Sequence, residues 1–215
     1  MFTNRSRKVP PQSVFVHCHA PAIFERGNVA FRAEQGVVCA LLYATALESL
    51  SHDLVAFYDQ IKHRPIAYYP GDRAANNYMT DEETALLGGL KFAEKKRMSV
   101  LKKLAIMRGQ DPEKGIDDPD LNLLILTRNR IAHLEPEATS LDAESSTVGG
   151  RPDVLSELSD KGLTRSLMHN EGWIEALETP EFCAWCKSTA RAAIKDTLVK
   201  LPKTYNSVAF GRMLR

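Results

Sequence analysis

Three side chains near the middle of the chain are of types that bind anions, form hydrogen bonds and exchange protons. Arg128 and Asn129 are adjacent, and His133 follows Asn129 by four residues. On a helix, residues four apart lie on the same side, so Asn129 and His133 would stack one turn apart. A guanidinium stabilises negative charge on phosphate oxygens, and an imidazole exchanges protons near neutral pH. The three side chains are therefore candidates for a site that holds an anion and exchanges a proton.

The segment from Pro119 to about Leu134 is predicted to form the helix that carries these side chains. Asp118 precedes Pro119 as an N-cap candidate, and Glu135-Pro136 follows the end of the apolar pattern. Proline suits the first position of a helix and prevents its continuation elsewhere. Arg128 and Asn129 are therefore expected near the C-terminal end of this helix, with His133 in its last turn.

Arg128 lies close to the centre of an apolar stripe when this helix is drawn at about 100° per residue. Burying an unpaired guanidinium is costly, so the position requires an acidic partner or a cleft that admits water or an anion. Other leucines cover much of the remaining surface, and one small bundle seldom covers a helix on all sides. We therefore expect part of this helix to face a second subunit. The stripe consists of Leu121, Leu124, Ile125, Ile131 and Ala132, and the other leucines are Leu123, Leu126 and Leu134.

The rest of the chain also has the apolar spacing of helices. We found no strand pattern and no internal repeat. These features predict an all-α fold, an antiparallel bundle of four to five main helices with short auxiliary helices. Besides the motif-bearing helix, the predicted long helices are 32–61, 81–109 and 180–201, and the short ones are 153–158 and 173–177.

The length and composition are those of a single globular domain. The chain has 215 residues, of which 44% are hydrophobic and 26% charged. We predict an N-terminal arm and lead-in segment over 1–31 and one helical domain over 32–204. A flexible insertion is expected at 137–152, where Ser and Gly replace the apolar pattern, and a C-terminal tail at 205–215.

Charge and cysteine usage restrict the function classes and the location. Lys and Arg number 28 against 27 Asp and Glu, so a net charge of +1 predicts no broad attraction to nucleic acid and any such site must be local. No apolar run approaches the ~20 residues of a bilayer span, and the basic N-terminus lacks the apolar core of an export signal. Four irregularly spaced cysteines fit reduced thiols. We therefore expect a cytoplasmic protein without membrane contact.

The motif resembles the R-N-x-x-x-H signature of HEPN domains, which lies near the end of a late bundle helix. Arg128, Asn129 and His133 match it, and the helical pattern from about residue 33 to 200 is loosely similar. The resemblance implies a HEPN-like bundle and a metal-independent endoribonuclease that needs no cofactor and acts as a homodimer through the motif-bearing helix. RNA would be its substrate, and an antitoxin or other regulator a possible partner. The implied biological settings are toxin–antitoxin control, stress response and defence against phage.

The resemblance also implies roles for the individual side chains. RNA carries its own nucleophile, the 2′-hydroxyl. His133 would transfer a proton, and Arg128 would clamp the phosphate and stabilise the developing charge. Asn129 would orient the histidine ring or bind a phosphate oxygen. The products would be a 2′,3′-cyclic phosphate and a 5′-hydroxyl.

Two further groups of cations are candidates for RNA contacts. Arg130 follows the motif and would add a phosphate contact on the solvent side. Lys95, Lys96 and Arg97 form a basic run that continues at Lys102-Lys103 on the second predicted long helix, and it would line a groove beside the motif. The competing interpretation of such a run is an ordinary solvated helix face.

Alternatives to the nuclease hypothesis use the same residues. A non-catalytic HEPN-like module would bind RNA, a nucleotide or a protein in the same cleft. In a purely structural interpretation, Arg128 pairs with a carboxylate such as Glu48, and His133 caps the last carbonyls of its helix.

The cysteines allow one further hypothesis. Cys183 and Cys186 have metal-ligand spacing, and His17-Cys18-His19 would complete a four-ligand zinc site. The simpler interpretation is that the pair packs in the core beside Trp185.

Overall fold

The structure is a computed structural model that describes residues 17–63, 79–133, 154–166 and 172–214. Within these residues the chain is all-helical, which confirms the predicted fold class. A 3₁₀ turn at Glu175–Leu177 precedes the second-last helix. The α-helices are α1 (His19–Arg32), α2 (Gly36–His63), α3 (Asp81–Lys95), α4 (Val100–Met107), α5 (Pro119–Ala132), α6 (Val154–Asp160), α7 (Pro180–Lys200) and α8 (Tyr205–Met213).

Helix α2 is the centre of the bundle, and α1, α3, α4, α5 and α7 all pack against it. Its apolar positions recur on nearly every side, so several neighbours are needed to remove them from water. Fully buried members include Tyr43, Leu47, Leu50, Leu54 and Tyr58.

The N-terminus of α2 is fixed by a carboxylate from the segment that leads into α7. The backbone N–H of Gly36 donates to a Glu178 carboxylate oxygen at 2.6 Å, and that of Val37 donates to the other oxygen at 3.3 Å. A negative charge there satisfies orphan N–H groups and complements the helix dipole. The approach is so close that a Cβ on Gly36 would lie 1.8 Å from the Leu177 carbonyl oxygen.

The predicted helix over 81–109 is wrong as one element, because it is two helices. Thr80 and Glu83 form a capping box that starts α3. After α3 ends, Arg97 adopts a φ of 53°, a left-handed conformation that stops the helical hydrogen-bond ladder. The hydroxyl of Ser99 then accepts from the N–H of Lys102 at 3.4 Å and starts α4.

The segment 1–31, predicted as an arm and lead-in, contains nearly all of α1. The Asp53 side chain of α2 accepts from the N–H groups of His19 at 2.9 Å and Ala20 at 2.8 Å, which holds the start of α1. Farther along, a Cβ on Gly27 would lie 2.8 Å from the Tyr43 ring. Glycine disfavours helices in general, so this close packing against α2 outweighs local propensity here.

The segment 205–215, predicted as a tail, contains α8. Phe210 is fully buried in the core. The buried Glu83 carboxylate of α3 accepts from the Asn206 amide at 3.0 Å and from the Thr204 hydroxyl. Polar contacts of this kind leave no apolar periodicity in the sequence, which explains why the sequence pattern did not predict α8. The insertion predicted at 137–152 lies outside the described residues.

The close approach at Gly36 generates a test of the fold. We expect Gly36→Ala to lower the free energy of unfolding by about 1–3 kcal/mol, because the added methyl meets backbone that cannot move independently. Gly88, on α3, is the matched control, since nothing lies within 4 Å of a Cβ placed there. Gly88→Ala should raise the free energy of unfolding by up to about 1 kcal/mol through helix propensity. Chemical denaturation of the two variants measures both, and equal stabilities would contradict the described packing.

Candidate functional site

Helix α5 carries the predicted motif at its C-terminal end. It starts as expected, with the Asp118 carboxylate accepting from the N–H of Leu121 at 3.0 Å and Pro119 in its first turn. Arg128 and Asn129 lie in the last turns of the helix, and His133 is its C-cap residue. The structure therefore brings the three residues to one end of one helix.

Arg128 pairs with a carboxylate of α2, as its position on an apolar stripe requires. Its Nη2 lies 2.9 Å from Oε2 of Glu48, and its Nη1 donates to the Asn129 side-chain oxygen at 3.0 Å. The two side chains of the ion pair remain 27% and 36% exposed. The acidic partner named in the structural interpretation is thus present, but the guanidinium is not sealed from solvent.

A second arginine, Arg108, is an example of a purely structural arginine in this fold. The Arg108 side chain is only 4% exposed and forms an ion pair with Asp196. Its Nε donates to the Thr197 hydroxyl at 3.0 Å and its Nη2 to the Ala193 carbonyl at 3.2 Å, so all three guanidinium nitrogens are engaged. Arg108 joins α4 to α7 from inside the core, whereas Arg128 sits at the surface.

His133 is exposed at the end of α5. Its backbone N–H donates to the Asn129 carbonyl at 3.0 Å. The Asn129 side-chain oxygen accepts from Arg128, so in this structure the amide orients the guanidinium and not the imidazole. Asn129 therefore acts on a different member of the motif from the one that the resemblance implied.

A second histidine lies next to the ion pair and was missed by the sequence analysis. His52 follows Glu48 by one turn of α2, and its Nδ1 lies 2.9 Å from Oε1 of Glu94 on α3. Two turns farther along α2, Asp59 pairs with Lys91 of α3 at 2.5 Å. We call Glu48, His52 and Asp59 the α2 polar stripe. Its signal in the sequence is a set of polar residues at helical spacing along an otherwise apolar helix.

The predicted basic run begins beside this stripe. Lys95, Lys96 and Arg97 directly follow Glu94, and all three are exposed at the end of α3. The prediction that the run continues along one helix is wrong, because α3 ends here. Lys102 pairs with Glu113 at 3.0 Å, and Lys103 is buried.

The basis for a subunit contact through α5 is weaker than the sequence suggested. Leu123, which we assigned to the outer surface, is buried within the chain. Helix α6 packs against α5 and supplies cover that the pattern did not reveal. Ala132 is exposed instead of lying in the apolar stripe, and Arg130 is half-buried.

The cysteines form a core cluster and not a zinc site. Cys39 of α2, Cys183 and Cys186 of α7 are fully buried, and burial raises the pKa of each thiol. Cys18 lies beside Asp53, which is about 20 Å farther along α2 than Cys39 at 1.5 Å per residue. Among the described residues, no group of three or more His, Cys, Asp or Glu side chains is arranged to hold a metal ion.

In the part of the chain that the structure describes, no helix combines the length and apolarity needed to cross a bilayer. A comparison with known protein families, characterised proteins and solved structures finds no match. The HEPN resemblance thus depends on the motif and on the helical pattern.

The exposure of the Arg128–Glu48 pair generates a stability prediction. Half-exposed ion pairs contribute little, so Glu48→Gln should change the free energy of unfolding by less than about 1 kcal/mol. If the pair were fully buried, removing one partner would lower the free energy of unfolding by about 3–5 kcal/mol. Asp59→Asn, which breaks the similarly exposed pair with Lys91, is the matched control. Chemical denaturation of both variants distinguishes the two cases, and a loss in the larger range would assign Arg128 to the scaffold.

Burial of the thiols generates a labelling prediction. Because the thiolate is the reactive form, buried thiols with a raised pKa react slowly. At pH 8, 5,5′-dithiobis(2-nitrobenzoic acid) should modify the half-buried Cys18 first and the other three cysteines only in denaturant. Cys18→Ser should remove the early phase. Labelling of Cys183 or Cys186 in the folded protein, identified by mass spectrometry, would contradict the core assignment.

Proposed function

We propose that this protein is a metal-independent endoribonuclease of the HEPN type. The observation that carries the proposal is the arrangement at the end of α5, where a half-exposed, oriented Arg128 lies five residues before an exposed His133. A guanidinium that is partly exposed is able to meet a phosphate, and an exposed imidazole at the same end of the helix is able to exchange a proton. The sequence motif supplies the reaction class.

The reaction is an internal displacement at phosphorus. The 2′-oxygen of the ribose forms a new bond to the phosphorus as its proton passes to a base. The bond between phosphorus and the 5′-oxygen breaks, and that oxygen receives a proton from an acid. The products are a 2′,3′-cyclic phosphate and a 5′-hydroxyl, and nothing is oxidised or reduced. His133 serves as one of the two proton-transfer groups.

Arg128 supplies electrostatic stabilisation in this proposal. Negative charge grows on the non-bridging phosphate oxygens as the 2′-oxygen attacks, and a guanidinium aimed at them lowers the barrier. Glu48 and Asn129 hold two of its nitrogens in place. A side chain that is already oriented loses less freedom when the phosphate arrives. Lys95, Lys96 and Arg97 are proposed to bind RNA beyond the scissile phosphate, with Arg130 as a further contact.

The homodimer and the biological setting rest on the family resemblance. In this proposal two copies associate through α5, each contributing a motif to a shared cleft. The toxin–antitoxin, stress or defence role, with an antitoxin or other regulator as partner, has the same basis.

The second candidate is a non-catalytic HEPN-like module that binds RNA, a nucleotide or a protein. The Arg128–Glu48 pair favours it, because a carboxylate already occupies one side of the guanidinium. Binding alone requires only that the ligand contact this surface, without placement of a reacting phosphate.

Cleavage of end-labelled RNA in the presence of EDTA tests the proposal. We expect cleavage by the wild type and a loss of about 10²-fold or more in rate for Arg128→Ala and for His133→Ala. Arg191→Ala and His17→Ala remove the same residue types from exposed positions elsewhere and should retain the wild-type rate. The new ends should be a cyclic phosphate and a 5′-hydroxyl.

Three results would contradict the proposed nuclease. The first is a wild type that binds RNA without cutting it, a result that supports the binding module. The second is cleavage that requires a divalent ion. The third is cleavage that persists in both motif variants, which indicates a contaminating nuclease. Sedimentation of the active protein tests the homodimer separately.

A further inference from the structure

We propose that His52 is the second proton-transfer group of the site, working through its Nε2 atom. This inference rests on the proposed ribonuclease function and adds a residue that the motif does not contain. Cleavage by internal displacement moves two protons, one from the 2′-oxygen and one to the 5′-oxygen. Each copy of the motif supplies a single imidazole, His133, so within one protomer the second proton-transfer group must come from outside the motif.

The contact with Glu94 determines which nitrogen of His52 is available. Nδ1 lies 2.9 Å from a carboxylate oxygen of Glu94. An ionised carboxylate only accepts hydrogen bonds, so Nδ1 must carry a hydrogen and donate it. In the neutral ring Nε2 then has the lone pair, and in the charged ring it has the transferable proton. A carboxylate that fixes the tautomer in this way is the arrangement of an oriented catalytic histidine.

The accessibility of His52 also fits proton transfer. Its side chain is 50% exposed, and that of Glu94 is 30% exposed. A substrate is therefore able to reach the ring without opening the core.

The ends of the helices show where His52 lies relative to the motif. Asp120, in the first turn of α5, has its pKa lowered by the Lys161 ammonium and, to a smaller extent, by the Trp185 indole near the start of α7. The start of α2 also meets the start of α7, since a Cβ on Gly36 would lie 3.0 Å from the Phe182 ring. Helices α2 and α5 therefore run in the same general direction.

This shared direction places the two histidines on the same side of the Arg128–Glu48 pair. At about 1.5 Å per residue, His52 lies about 6 Å beyond Glu48 along α2. His133 lies about 7 Å beyond Arg128 along α5. Both residues thus follow the ion pair by a similar rise along the chain, His52 on α2 and His133 at the end of α5.

His52 lies between the Arg128–Glu48 ion pair and the residue that precedes the basic run. Glu48 precedes it by one turn on α2, and Arg128 contacts that carboxylate from α5. On the other side Glu94 of α3 is followed directly by Lys95, the first residue of the basic run. Neighbouring side chains therefore lead from Arg128 through Glu48 and His52 to Glu94 and these cations.

Steady-state kinetics of variants on a short RNA of defined sequence test the inference. His52→Ala should lower kcat by about 10²-fold or more while KM changes by less than about 3-fold, because proton transfer contributes to the chemical step and not to binding. Imidazole added to the buffer should restore part of the kcat lost in this variant. Glu94→Gln, which keeps the shape but weakens the orientation of the ring, should lose about 10-fold.

Lys91→Ala is the matched control. It breaks the other ion pair between α2 and α3, with Asp59, and should keep kcat within about 3-fold of the wild type. Thermal denaturation of each variant separates a loss of fold from a loss of chemistry.

The outcomes distinguish this inference from the proposed function. If the wild type cleaves RNA and Arg128→Ala and His133→Ala abolish cleavage, an unchanged kcat in His52→Ala overturns only the role of His52. An effect confined to KM, or a kcat loss without rescue by imidazole, overturns it as well, since either result indicates a binding or structural contact. A wild type that does not cleave RNA overturns both proposals together.

Discussion

The structure depends on the need to cover α2. This helix is apolar on nearly every side, and its buried aromatic and aliphatic side chains would be costly in water. Five other helices pack against it, including the short α4. The Glu178 carboxylate fixes its start, and Asp53 on α2 in turn fixes the start of α1. The other elements take their positions from this one helix.

The polar stripe of α2 is the part of this helix that stays accessible to solvent. Glu48, His52 and Asp59 each face a partner on a neighbouring helix while remaining accessible to solvent. The central helix thus brings the end of α5 and the end of α3 to the same row of side chains. Residues distant in the sequence become neighbours because both helices pack on the same scaffold. The contrast with Arg108, which is engaged at all three nitrogens inside the core, separates a cation that holds helices together from one that is presented at the surface.

The long helices could be predicted because each has enough apolar residues at helical spacing to identify a buried face. Helices α1 and α8 could not, because carboxylates from other helices, Asp53 and Glu83, hold them in place. The break between α3 and α4 depends on the left-handed backbone at Arg97, for which a non-glycine residue gives no signal.

The candidate site was only partly accessible to sequence reasoning. The motif on α5 was visible as residue types at fixed spacing, and the need for an acidic partner followed from the position of Arg128. The identity of that partner and the role of the Asn129 amide required coordinates. The sequence did not indicate His52, because its contact is with Glu94 on another helix and depends on how the two helices pack.

The ion pair between α2 and α5 has a consequence for selectivity. In the proposed function, an incoming phosphodiester would not meet a bare cation, because Glu48 already forms an ion pair with Arg128. Binding is an exchange of one anion for another, so the net attraction is the difference between two similar energies. An isolated phosphate gains little from such a trade. A polymer that also contacted the cations after Glu94 would gain from several contacts at once, so the proposed site would favour long polyanions over small ones.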